Sequence, residues 1–249
     1  MTLLLIAMTL VALPEEGRIL FEEANAAYHA GAYDEAIEQY VRLQRDYDVK
    51  SAPLFFNLGN AWYRNGSLGK AILHYEAALA VEPRFEPARK NLDTVLQDTR
   101  RRLPAPDPAM LEQGSLVRYY PFSPWHSLVL THACLLLALA LLVVRYWRDT
   151  PRIKWMGHFL PALALLFFAF AVMGNQATRT APKLAVALPD EAPVYFSMSE
   201  LDSPRFLLYE GDRVLIDRFE GDWVRVHAYG GERGWTRRGN TGVVEYTTI

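Results

Sequence analysis

Acid–base, nucleophilic or metal chemistry in this chain would have to be built from six histidines, the carboxylates near them and the single thiol of Cys134. None of these falls into a working pattern. The sequence has no metal-spaced His/Cys cluster, no G-x-S-x-G elbow and no P-loop, and no histidine stands in a motif that pairs it with a nucleophile. His74 with Glu76, and His29 with Asp34, read instead as exposed polar residues on helices. Cys134 sits inside an apolar run and reads as a small hydrophobe, and a lone cysteine excludes a disulfide within the chain. The expectation is a non-enzymatic protein with no cofactor and no metal. With 249 residues, a formal net charge of -2 and 51% hydrophobic residues, the chain is neither a basic nucleic-acid binder nor a uniformly apolar transporter.

The averages conceal a mosaic: residues 17–102 are rich in Ala, Glu, Arg and Tyr, 126–175 are mostly Leu, Ala, Phe and Val, and 184–246 alternate as short strands do. In the first part, "NAAYHAGAYDEAIEQY" from Asn25 aligns with "NAWYRNGSLGKAILHY" from Asn60, so that Tyr28 meets Tyr63, Gly31 meets Gly66 and Tyr40 meets Tyr75. Ala36 and Ala71 are 35 residues apart, close to the ~34-residue tetratricopeptide unit, which the second copy resembles through Leu58-Gly59, Trp62, Gly66, Ala71, Tyr75, Ala78 and Pro83. Small Gly59, Ala71 and Ala78 let paired helices approach, Gly31 and Gly66 end the first helix of each pair, and Pro83 stops the second. A fifth helix, from Pro87 to about Arg102, is expected as a cap, with Arg100 to Arg102 favouring its C-terminal dipole. Two repeats and a cap make a short array, whose stability calls for a partner or a second array.

In the tetratricopeptide family the first helices of the hairpins line a concave groove. The resemblance places Phe21, Asn25, Tyr28, His29, Phe56, Asn60, Tyr63, Arg64 and Lys90 there. Asn25, Asn60 and Lys90 resemble part of a clamp for a peptide's terminal carboxylate, with Phe21 standing where its first lysine would be. Three readings remain open: a terminal carboxylate, a general peptide or protein segment, or packing alone.

Two apolar runs follow, from Trp125 to Trp147 and from Trp155 to Gln176, each with about 20 apolar positions, the length that crosses a bilayer. Tyr119, Tyr120, Phe122, Trp125, Tyr146, Trp147 and Trp155 suit interfacial anchors. Arg145, Arg148, Arg152 and Lys154 crowd the connection against Asp149 alone, so the positive-inside rule puts residues 148–154 in the cytoplasm and both soluble parts in the periplasm. His132 and His158 lie about 15 Å apart in depth and neither run holds a carboxylate, which favours an anchor over a transport path. Leu3 to Leu13 is apolar but would span only ~17 Å as a helix; residues 1–16 read as an export signal or the product of a misassigned start codon.

Residues 183–249 break at Pro-Asp, Ser-Pro, Glu-Gly-Asp, Gly-Asp and Gly-Gly turns, the pattern of a small all-β barrel. Alternation along 222–229 sets Val224, Val226 and Ala228 on one face. "EGDRVLI", "EGDWVRV" and "RGWT" resemble the bacterial Src-homology-3-like domain, with Thr236 where that family often has valine. Tyr195, Trp223 and Trp235 are candidates for a peptide or glycan face or for core, and Arg233, Arg237 and Arg238 for contact with anionic lipid or wall polymer or for plain solvation.

The expected architecture is therefore a signal at 1–16, an array at 17–102, a linker at 103–124, transmembrane helices at 125–147 and 155–176 and a barrel at 183–249. This order is similar to the BatE-type proteins of the bacterial aerotolerance operon. The resemblance implies a scaffold in the inner membrane, with partners among other Bat membrane proteins: von Willebrand A-domain proteins and another repeat protein, beside a cytoplasmic MoxR-type ATPase. A wall-associated sensor or remodelling protein whose barrel binds peptidoglycan or peptide is the other reading.

Overall fold

The computed structural model describes residues 14–107, 124–147 and 151–244. Most of the expected export signal, most of the linker and residues 148–150 of the basic connection lie outside these. Five helices open the chain: α1 (Glu15–His29), α2 (Tyr33–Asp46), α3 (Ala52–Arg64), α4 (Leu68–Val81) and α5 (Glu86–Asp98). The two glycines stop α1 and α3 in the expected way. Gly31 has φ +81 and Gly66 φ +82, and the next residue's N–H reaches back to close the turn, Ala32 to the Ala27 carbonyl at 2.9 Å and Ser67 to that of Trp62 at 3.0 Å. Ser51 caps α3 by accepting the Leu54 N–H at 3.3 Å, with a proline in the first turn.

α5 is shorter than the sequence suggested. Thr99 turns extended at φ -72, ψ 153, and its one hydroxyl proton is shared between the carbonyls of Leu96 and Arg101, 2.8 and 2.9 Å away. Arg100 and Arg101 therefore leave the helix for other partners, while Arg102 reaches back to donate to the Gln97 carbonyl of the last turn at 3.0 Å.

The first hairpin buries Leu20, Ala24, Ala36, Ile37, Tyr40 and Leu43 against Leu54 and Leu58 of α3. In the second, Gly59 lets Tyr75 lie on the α3 backbone: a Cβ there would stand 2.6 Å from the tyrosine ring.

The described C-terminal residues, 183–244, form seven strands, with one 3-10 turn (Arg238–Asn240) before the last: β1 (Lys183–Ala187), β2 (Glu191–Val194), β3 (Phe206–Tyr209), β4 (Arg213–Glu220), β5 (Trp223–His227), β6 (Arg233–Arg237) and β7 (Thr241–Val243). The antiparallel order is β6-β5-β4-β1-β7, with β2 and β3 as a separate pair. The "RGWT" stretch, which the Src-homology-3-like resemblance would put on the last strand, forms β6, and β7 follows it. The alternation read from the sequence holds in β5, whose Val224 and Val226 are fully buried with Ala228 packed beside them. β1 differs because both of its faces are covered. Ala185 and Ala187 join the sheet's own core, while Leu184 and Val186 join the core of α4 and α5.

Array and sheet accordingly form one compact unit rather than two separate modules. The covering that a short array requires comes from within the chain. Gly69 packs so tightly that a Cβ would sit 2.6 Å from the Ala187 carbonyl oxygen, and its N–H donates to Glu210 at 2.8 Å. A carboxylate from the sheet thus satisfies an open N–H in the first turn of α4, where Ser67 provides no side-chain cap. Arg213 joins Glu76 at 2.9 Å and the Leu103 carbonyl at 3.0 Å, and both charged side chains are only 12% exposed. Glu76 is therefore not the exposed helical residue expected from the sequence. Arg101 pairs with Asp212 and donates to the Leu207 carbonyl at 3.0 Å. Arg100 meets Glu191 at 2.7 Å and lies 3.9 Å over the Tyr209 ring.

The second unit contains α6 (Pro124–Trp147) and α7 (Pro151–Thr180), packed on each other. At ~1.5 Å per residue, helices of 24 and 30 residues reach about 36 and 45 Å. By length and composition His158–Asn175 could cross a membrane, whereas the described apolar stretch of α6, Trp125–Leu141, is shorter than a span needs. Buried positions include Ser127, Thr131 and Ala138 on α6 and Ala164 and Ala171 on α7, while Leu136, Leu139, Val143, Leu165 and Phe168 stand exposed.

Candidate functional site

Repetition places one hydrogen-bond network twice in the groove of the helical array. Asn25 of α1 accepts the Tyr40 hydroxyl at 2.6 Å and the Asn57 amide at 3.2 Å; Asn60 of α3 accepts the Tyr75 hydroxyl at 2.7 Å and the Asn91 amide at 2.7 Å. Each asparagine oxygen is thereby engaged from two sides, which orients the amide and turns its Nδ2 donor away from the network. The tyrosines come from the second helix of each hairpin and are almost wholly buried. Burial pushes both phenols well above their ordinary range, so both remain proton donors at any physiological pH.

The second network opens onto a cavity of about 250 Å³ lined by Tyr28, Asn60, Tyr63, Arg64, Tyr75, Asn91, Thr94 and Val95. Four residues expected in the groove, Tyr28, Asn60, Tyr63 and Arg64, meet there. Arg64 lies against the Tyr28 hydroxyl, which raises its already high pKa. Tyr63 donates to Asp98 at 2.8 Å, a bond that pushes the phenol upward. Asn25 anchors the first network outside the cavity lining.

The other four candidates are placed elsewhere. Phe21 lies half-buried with its ring 6.0 Å from that of Tyr40, and Phe56 is packed between Tyr75 at 6.1 Å and Phe85 at 5.6 Å. His29 is exposed at the end of α1, its ring 5.7 Å from Tyr28. Lys90 is exposed on α5, and its carbonyl accepts the Thr94 hydroxyl at 3.0 Å. Sequence reasoning missed Asn57, Asn91, Thr94 and Asp98. A signal existed for the first pair: Asn57 and Asn91 are 34 residues apart, one repeat length.

In the sheet region Tyr195, Trp223 and Trp235 do come together. Tyr195 and Trp223 rings meet edge-on at 6.0 Å, and the Tyr195 and Trp235 backbones exchange bonds of 2.7 and 2.8 Å. Arginines cover the indoles: Arg237 stands 4.3 Å over Trp223 and itself pairs with Glu200 at 2.6 Å, while Arg225 lies 5.8 Å from Trp235. Arg225 also holds Asp217 by two bonds of 2.8 and 2.6 Å. Burial works to raise the Asp217 carboxyl, but Arg225 and His227 outweigh it and hold the group below the usual carboxylate range.

His74 packs on Phe55 with the rings stacked at 6.4 Å, and burial, with Lys70 adding to it, lowers its pKa to about 4. It is neutral at physiological pH. Among the described residues no group of three His, Cys, Asp or Glu side chains is placed to hold a metal ion.

Residues 52–85, which cover α3 and α4, match the tetratricopeptide repeat family. Such a repeat is a protein-interaction module, typically without catalytic groups. No curated protein matches the chain at a significant level.

Proposed function

We propose that this protein is a non-enzymatic, membrane-anchored scaffold that holds a segment of a partner protein in the groove of its helical array. The observation that carries the reading is the doubled asparagine network. Two amides are fixed by buried tyrosines, one repeat apart, each with its Nδ2 left as a donor outside the network, and the second lines the cavity. Recognition of a chain with acceptors at repeated intervals is the natural use of such donors.

Two features support an anchor in 125–147 and 155–176. Small residues between α6 and α7 and large apolar residues facing outward are the arrangement of helices solvated by lipid, whereas a soluble surface rarely exposes apolar patches beyond a few hundred Å². The compact unit also contains chain from before and after the pair, so the intervening segment has to return to the side it left. One crossing fails that requirement, so a bilayer-spanning α7 calls for α6 to span as well. With the basic connection inside, the groove and the barrel-like sheet face the periplasm of the inner membrane. The order of parts resembles a BatE-type protein, so other Bat proteins are the partners to look for.

Chemical cross-linking in intact cells, followed by purification from mild detergent, tests the scaffold: a membrane or periplasmic protein is expected cross-linked to α1, α3 or α5. Recovery of the chain alone would sink it. A reporter active only in the cytoplasm should stay silent when fused at residue 110 or 249. The second reading, a wall sensor acting through the sheet, is favoured by the clustering of Tyr195, Trp223 and Trp235. Sedimentation of the protein with purified peptidoglycan, lost in Trp223→Ala, would support it over the scaffold.

A further inference from the structure

We infer that the cavity beside Arg64 receives the carboxylate of one Asp or Glu side chain in a partner's extended segment; the inference rests on the reading of the groove as a protein-binding surface. The cavity sets a cation beside an oriented amide donor, with no carboxylate in its lining. Arg64 is exposed and lies against the Tyr28 phenol, not a carboxylate; the Asn60 oxygen is engaged by Tyr75 and Asn91, leaving its Nδ2 as a donor. No acidic side chain lines the space, and Asp98 accepts the Tyr63 hydroxyl. A guanidinium and a fixed amide side by side suit a planar anion, which one side-chain carboxylate supplies. The volume, about 250 Å³, lies below the ~300–1,000 Å³ of pockets that enclose a whole small ligand and suits a single side chain.

Two observations favour an internal residue over a chain terminus. Asn25 presents a second oriented amide one repeat further along, so the ligand has a contact to make beyond the cavity. Neither Phe21 nor Lys90 adds a cation to the cavity.

The test uses the full chain in detergent, with benzoylphenylalanine in place of exposed Lys90, one turn from Thr94 and outside the cavity lining, as a photo-cross-linker. Three labelled libraries of N-acetylated decapeptides are compared: a central Asp or Glu with an amidated C-terminus, the same with Asn or Gln, and the Asn or Gln form with a free C-terminal acid. The first library is expected to cross-link at least ten times more strongly than the second, and to lose that advantage in Arg64→Gln while keeping only part of it in Arg64→Lys, which retains the charge but not the planar fork. Equal labelling by the first two overturns the carboxylate site but leaves the groove standing. A preference for the third overturns the side-chain source in favour of a terminus. No labelling by any library removes the groove reading itself, and this inference with it.

Discussion

The two helical hairpins are near-copies that live in different surroundings. Shifted by one repeat, Asp34, Glu38 and Val41 of α2 correspond to Gly69, Leu73 and Glu76 of α4. The first set is exposed to solvent. The second carries the sheet: Gly69 lies under the Ala187 carbonyl, Leu73 against Gly242, and Glu76 is paired with Arg213. The inner faces are nonetheless alike, each with a buried tyrosine bonded to an asparagine. A repeat therefore preserves the side that builds the groove while its back is free to diverge, and the divergence marks where another layer docks.

The largest effect is expected where charge is buried. Arg213→Ala leaves Glu76 unpaired beneath the sheet and should cost about 3 kcal/mol, measured by thermal or urea unfolding of the full chain in detergent. Val41→Ala, the corresponding position of the first hairpin, should cost less than ~1 kcal/mol. An equal loss at both would break the comparison. Next comes the close approach at Gly69: Gly69→Val drives side-chain atoms into the Ala187 carbonyl and should destabilise by about 2–3 kcal/mol, while Asp34→Val stays within about 1 kcal/mol.

Acid should expose a further asymmetry. His74 has no histidine counterpart in the first hairpin, where Gln39 stands. Its folded pKa of about 4 lies below an unfolded value near ~6.5, so the unfolded state binds the proton more readily between these limits. Stability is full above about pH 6.5 and is lost as pH falls toward 4, by roughly 3 kcal/mol from this residue. His74→Gln should flatten that part of the profile. Asp217, held low, contributes in the same direction but at lower pH: its share is present above the ordinary carboxylate range and disappears as pH drops through its folded value. The smallest effect tests the shared face. Tyr40→Phe and Tyr75→Phe each remove one of two donors from an asparagine oxygen and should cost about 1 kcal/mol apiece. Markedly unequal values would show that the networks are not equivalent.

Much of the array was legible because its signals are local. Gly31 and Gly66 mark helix ends by their left-handed backbone, Gly59 answers a tyrosine on the adjoining helix, and Val224 and Val226 declare a buried face by alternation. The groove was half legible. Asn25, Asn60, Tyr28 and Arg64 stood out by repeat position, whereas the partners that orient them, Asn57 and Asn91, acquire meaning only once the neighbouring helix is in place. Lys90 and Phe56 show the converse error: a slot in a repeat does not say whether a side chain reaches the cavity or fills a gap between rings.

Spacing, turn residues and apolar periodicity decided the elements themselves, since each depends on neighbours within a few positions: helices of the repeat, strands after residue 182, and two long apolar helices between them. Tertiary structure alone decided that β1 is buried on both faces, that Glu210 caps a helix some 140 positions earlier, and that Arg101 and Arg213 tie strands to helices. Those contacts join segments separated by the whole α6–α7 insertion. No local pattern encodes them, because burial and charge pairing depend on which surfaces meet, and here the surfaces meet only after both segments have folded.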